Sequence, residues 1–320
     1  MKLKLAMALL GSLLGIQNAA AQNFPTKPVT LVVPYAPGGN SDIVGRAVAQ
    51  KLSERWKQPV VVENRPGGTT TVGAAHAARA TPDGYTLLLA APPFVITQHV
   101  YNNLDYDTAK SFQPISLIAY FPLVLVVPAS LPVNNLKELV EYARANPGLT
   151  YASPGAGTTS HLVGEMLAKE EKLDLVHIPY KSGGQGVVDL MAGRIGFYGA
   201  VPPEVMSHIR GGKLKAIAVL APKRSELLPE VATSPESGFP YLQAQSWSSI
   251  VAPAGVPQAV ADQISADIAE AIKDADFRER MSQQGAVLVG SKPAELAAWY
   301  EEEHKRWGPL IKAIGVKPGQ

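Results

Sequence analysis

Two short stretches carry the residue types best suited to holding a charged group: Pro37-Gly38-Gly39-Asn40-Ser41-Asp42 and Pro154-Gly155-Ala156-Gly157-Thr158-Thr159. Each follows a short apolar run and precedes a helical pattern. Several backbone N–H groups then fall in the first turn of a helix, which offers them no acceptor, at the positive end of a dipole of about half a charge. Such a turn is an anion site made of backbone alone. The plainer alternative is that Gly and Pro only make tight connections; a matched pair of turns favours the anion site. In open α/β sheets these turns lie at the carboxyl ends of strands, where ligands bind. Two of them can grip one carboxylate from opposite sides of a cleft.

Other chemistries are poorly served. Gly155-x-Gly157-x-x-Ser160 resembles a dinucleotide fingerprint but lacks its third glycine. Tyr151-x-Ser153-x-Gly155 has Tyr where a nucleophile elbow needs Gly, and no phosphate loop with a Gly-Lys-Ser/Thr ending is present. The six histidines are scattered without zinc-helix spacing, and cysteine is absent, which removes thiol chemistry and Cys-bound metals. No catalytic residue, metal or cofactor is therefore expected, because no nucleophile–base pair is evident. His161, in the first turn after the second glycine turn, reads as the partner that holds that turn in shape. Glu301-Glu302-Glu303 reads as a solvated helix face, and Phe94 and Trp247 as candidate cleft aromatics that would otherwise be core.

The elements around these turns alternate strand and helix. Val29 to Pro34, Pro59 to Glu63 and Tyr85 to Ala90 read as strands, with helices from Ile43 (capped by Asn40 or Ser41) to Trp56 and from Val72 to Ala80. The logic then repeats: strand Leu123 to Pro128, helix Leu136 to Asn146, strand Leu149 to Ser153, helix Ser160 to Lys169 and strand Leu175 to Pro179. Helix Gln185 to Ala192, strand Ile195 to Tyr198, helix Pro203 to Ile209 and strand Lys215 to Leu220 follow. Helices at Pro257 to Lys273 and Pro293 to about Trp307 close the chain. Such alternation predicts an α/β fold with mostly parallel sheets, in two similar lobes.

Composition fits that size. Lys2 and Lys4, the apolar Leu5 to Ile16 and Ala19-Ala20-Ala21 form a secretory signal peptide over residues 1–21. The apolar run is shorter than the roughly 20 residues a spanning helix needs. The rest exceeds what one core usually organises, so two domains are expected. A formal net charge of +2 without a basic block argues against a nucleic-acid partner.

The motifs Val33-Pro34-Tyr35-Ala36-Pro37-Gly38-Gly39-x-x-Asp42, Val60-Val61-Val62-Glu63-Asn64-Arg65-Pro66-Gly67 and Pro82-Asp83-Gly84-Tyr85 resemble the Bug family. So do Gly157-Thr158-x-Ser160-His161, His177-Ile178-Pro179-Tyr180-Lys181-Ser182-Gly183 and Ser246-Trp247. These are TctC-like receptors of tripartite tricarboxylate transporters. The resemblance implies a type II periplasmic-binding-protein fold, with lobe 1 over 24–125 plus 246–320, lobe 2 over 126–245, and a hinge of two crossing strands. It implies a monomer in the periplasm that captures a small carboxylate for membrane transporter subunits; a sensor's ligand-binding partner and an exported α/β hydrolase are the alternatives. Carried over, the ligand contacts are Tyr35, Pro37, Gly38, Gly39, Asp42, Ser153, Gly155, Gly157, Thr158, Thr159, Tyr180 and Lys181, with His161 beside them.

Three positions depart from the family pattern. Ala90-Ala91-Pro92-Pro93-Phe94 replaces small polar residues, Gly68-Thr69-Thr70-Thr71 replaces a glycine-richer run, and Ala200 stands where an acidic residue would face the ligand. With no acid at 200 to pair an ammonium, and with Phe94 or Trp247 free to stack, an apolar-bodied or aromatic carboxylate is expected over citrate or aspartate.

Overall fold

The computed structural model describes residues 24–101 and 103–316, so the expected signal peptide lies outside the described residues. The chain runs β1 (Val29–Val33), α1 (Asn40–Trp56), β2 (Val60–Asn64), a 3₁₀ turn (Gly68–Thr70), α2 (Thr71–Ala78), β3 (Thr86–Ala90), α3 (Pro93–Val100), β4 (Phe112–Pro122) and β5 (Val124–Pro128). It continues with α4 (Leu136–Ala145), β6 (Leu149–Ser153), α5 (Thr159–Glu171), β7 (Leu175–Pro179), α6 (Gly183–Met191), β8 (Phe197–Ala200), α7 (Pro202–Arg210) and β9 (Leu214–Val219). Last come β10 (Gln245–Pro253), α8 (Gln258–Ala271), α9 (Ala275–Ser282), β11 (Val287–Leu288) and α10 (Pro293–Ile314).

Local signals explain most of these elements. In α4 the Asn135 side chain accepts from the Glu138 N–H, and Leu136, Leu139, Val140 and Ala143 line one buried stripe. At α1 the expected caps are wrong: Gly39 is the N-cap, in extended conformation with no side-chain cap, and Asn40 opens the helix. The last helix runs past Trp307 to Ile314 despite Pro309. Leu310 and Ile311 are buried, and that burial outweighs the hydrogen bond proline removes.

Two sheets result, ordered β11-β4-β10-β3-β1-β2 and β7-β6-β8-β5-β9. Pairing is parallel within β2-β1-β3 and β7-β6-β8, as the alternation requires. The remaining pairs are antiparallel, so the sheets are mixed where mostly parallel ones were expected. In the first sheet the cause is the pair of long strands β4 and β10, and in the second it is β5, antiparallel to both β8 and β9. β10 lies antiparallel between β3 and β4, with Ile250 opposite Leu89 and Trp247 opposite Tyr120.

The chain passes between the sheets at two adjacent points. Leu123 links β4 to β5, and its N–H donates to Ala244 O at 3.0 Å just before β10. Leu220 donates to Leu123 O, and Ala244 to Leu220 O, both at 2.8 Å. A third link is helical. α10 buries Leu296 and Tyr300 in one core with Phe94 and Trp247, and buries Trp307, Leu310 and Ile311 in another with Leu123, Leu162 and Phe197. Glu303, between these two sets, is buried, whereas Glu301 and Glu302 are exposed, so the solvated-face reading fails for this residue.

Candidate functional site

A cleft of about 860 Å³ opens between the sheets, and both glycine turns line it. From the first come Tyr35, Pro37, Gly38, Gly39, Asn40 and Ser41; from the second come Gly155, Ala156, Thr158, Thr159 and Ser160, with Lys181 nearby. Local geometry puts them there. Each turn ends a parallel strand and starts a helix, and Gly38 (φ +88°) and Gly157 (φ +74°) occupy left-handed backbone that side chains disfavour.

Asp42 does not line the cleft. Its buried carboxylate folds back to accept from Gly38 N–H (2.9 Å), Arg46 Nε (2.9 Å) and Asn64 Nδ2 (2.8 Å). Burial pushes this carboxyl up, but those donors outweigh it and hold it below the usual carboxylate range. The Gly38 N–H is therefore committed to Asp42. The first-turn N–H groups of Asn40 and Ser41, with that of Gly39, are the donors left for a ligand.

The second turn is braced the same way. Gly157 N–H donates to His161 Nδ1 at 3.1 Å, the shape-holding role expected for that histidine. With Nδ1 accepting, the ring proton sits on Nε2, which stands 3.6 Å from Glu165 Oε1. Ser153 Oγ accepts from Gly155 N–H (3.1 Å) and lies 2.6 Å from His177 Nε2. His161 and His177 stack with centroids 4.0 Å apart. Tyr151 donates to Glu165 at 2.6 Å, and with His161 beside it that carboxyl sits below its usual range. Burial, then the neighbouring His161, lowers His177 to about 4, which keeps it neutral.

Ser153 and His177 are thus a serine–histidine pair that sequence spacing did not reveal. Ser153 is only 1% exposed and does not line the cleft, and the pair braces the turn.

Other expected contacts lie elsewhere. Phe94 is buried against Tyr106, Phe112 and Tyr300, and Trp247 against Tyr300 with its indole on Glu303. Neither lines the cleft, so the expected ring stacking is corrected: both are core. Ala200 is fully buried opposite Val124 and also lies off the cleft. Tyr180 does not line it either; its hydroxyl donates to Asp189 at 2.8 Å. The Tyr35 hydroxyl is buried without a partner among the described residues, so Tyr35 lines the cleft without offering it.

The structure adds residues not anticipated. Thr69 (φ +52°) and Thr70 (φ +79°) line the cleft in left-handed backbone, a strained state for β-branched side chains of the kind found at binding sites. Tyr198 and Glu204 also line it, with the Tyr198 hydroxyl donating to Glu204 Oε2 at 2.8 Å. A tyrosine followed by a first-turn glutamate of a helix was the available signal. Among the described residues no group of three or more His, Cys, Asp and Glu is placed to hold a metal ion.

The family model for the tripartite tricarboxylate transporter family receptor matches residues 44–316. Protein BugT of Bordetella pertussis (strain Tohama I) is 32% identical over 93% of this chain and 92% of its own. The structure of periplasmic binding protein BugD aligns at 35% identity and a TM-score of 0.82, covering 92% of this chain and 99% of that one. R. palustris Rpa4515, solved with adipate, aligns at 31% identity and a TM-score of 0.85 over the same shares. With the two-sheet architecture and the shared cleft, these matches show that this chain belongs to the tripartite tricarboxylate transporter receptor family, as a two-lobed solute-binding receptor and not an enzyme.

Proposed function

We propose that this receptor captures a small carboxylate in the periplasm, as a monomer, and delivers it to the membrane subunits of a tripartite transporter. One observation carries the reading. The first turns of α1 and α5, from different sheets, both line one cleft and leave backbone N–H groups of Gly39, Asn40 and Ser41 on one side and Thr159 and Ser160 on the other. A carboxylate there would meet two positive helix ends, with Lys181 also lining the cleft.

Export is supported by the basic, apolar and Ala-Ala-Ala order of the first 21 residues. The division into lobes at 125/126 and 245/246 is supported by sheet membership, although it cuts through the start of β5. An aromatic body for the ligand loses its support, since Phe94 and Trp247 are core.

A thermal-shift screen of the mature chain against aliphatic and aromatic carboxylates tests the reading. A true ligand at 100 times its Kd adds about 2.7 kcal/mol to stability. No shift with any carboxylate would overturn it.

A further inference from the structure

Glu204 is the one carboxylate side chain among the described residues lining the cleft. Its Oε2 takes the Tyr198 hydroxyl, while Oε1 has no protein donor and is not sealed from solvent. Only Tyr198 offsets the cost of burial, which pushes the carboxyl up; no cation compensates it.

A cationic group on the ligand would supply the compensation that the protein leaves out. Tyr198 donates to Glu204, and burial pushes the Tyr198 hydroxyl's own pKa well up, so that proton stays put. The carboxylate lies over the first residue of α6, close enough that a Cβ on Gly183 would meet both oxygens at 2.3 Å. That is the positive end of a helix. No backbone N–H of α6 donates to Glu204, so it is not a cap for that helix. A carboxylate in this position repels a purely anionic ligand and holds a place for a positive one.

We propose that Glu204, positioned by Tyr198, accepts an ammonium group of the ligand, so that the cleft selects a zwitterion whose carboxylate lies at the two glycine turns. This rests on the carboxylate reading above and deepens it. It also reverses the expectation drawn from Ala200: the acid missing from β8 is supplied by Glu204, in the first turn of α7.

The test is calorimetric titration of the mature chain with matched pairs differing by one amine: aspartate and succinate, glutamate and glutarate, 4-aminobutyrate and butyrate, 4-(aminomethyl)benzoate and 4-methylbenzoate. In at least one pair the amine-bearing acid should bind about 10-fold tighter or more, as a charge-assisted hydrogen bond provides. Glu204→Gln should reduce that preference to within about 3-fold. Tyr198→Phe should reduce it in part, and circular dichroism checks that both variants fold. Should Glu204→Gln not fold, the wild-type pairs and Tyr198→Phe decide. Equal or weaker binding of every amine-bearing acid overturns the proposal, as does a preference that survives Glu204→Gln. Succinate or glutarate binding that tightens as pH falls, and loses that dependence in Glu204→Gln, also overturns it by making Glu204 a proton donor. If no acid of either kind binds, the carboxylate reading itself falls.

Discussion

Trp247 and Trp307 donate their indole N–H groups to the same oxygen of Glu303, at 2.8 and 3.1 Å. Trp247 belongs to the core around the first sheet and Trp307 to a core of the second, so one buried carboxylate ties the two. Removing it orphans two buried donors. Glu303→Ala should therefore destabilise the protein by about 3–6 kcal/mol, as two charge-assisted bonds of roughly 1.5–3 kcal/mol each suggest. Urea denaturation measures this. A loss below about 1 kcal/mol would show that water replaces the carboxylate without penalty.

Backbone donation predicts an unusual contrast at one position. Gly39 has φ −78°, which proline adopts, and an added Cβ would come no closer than 3.9 Å to Ala36 O. Gly39→Ala keeps the N–H and should bind like wild type. Gly39→Pro removes only that donor and should weaken binding roughly 10- to 100-fold, the value of one hydrogen bond to a charged group. Equal affinities for the two variants would take the Gly39 N–H out of the site.

Acid should loosen the second turn. His177 titrates at about 4 when folded and 6.5 when not, so between those values the unfolded chain holds more protons. Stability from this group is full above pH 6.5, declines as pH falls toward 4, and is flat below. The total is at most about 3 kcal/mol. Thermal melts across pH 7.5 to 4 should show the decline, and His177→Gln should flatten it. A variant with an undiminished slope would assign the loss to other groups.

Closure should pivot where Leu123 and Ala244 cross. Small-angle scattering should give a smaller radius of gyration at saturating ligand. An unchanged profile would mean that the cleft is already closed before the solute arrives.

Much of this was legible in the sequence. Apolar β-branched runs followed by Gly-rich turns marked β1 with α1 and β6 with α5, because that local chemistry is sufficient. β10 escaped notice because Ser246, Ser248 and Ser249 interrupt any apolar run, though Ser248 and Ser249 are buried all the same. The Ser153–His177 pair depends on tertiary register: parallel pairing of β6 and β7 sets Tyr151 opposite His177 and brings a residue 24 positions away to Ser153. Phe94 and Trp247 were misplaced because an aromatic's type says nothing about which face of its element meets the core.

The place of β10 also sets a timetable for synthesis. It fills the gap between β3 and β4, yet it follows both of them and every strand of the second sheet in the chain. While the polypeptide is still emerging, the second sheet can finish first, and the first sheet stands as two unjoined parts with facing open edges. Until Pro253 has been made, nothing local can join those two parts into one sheet.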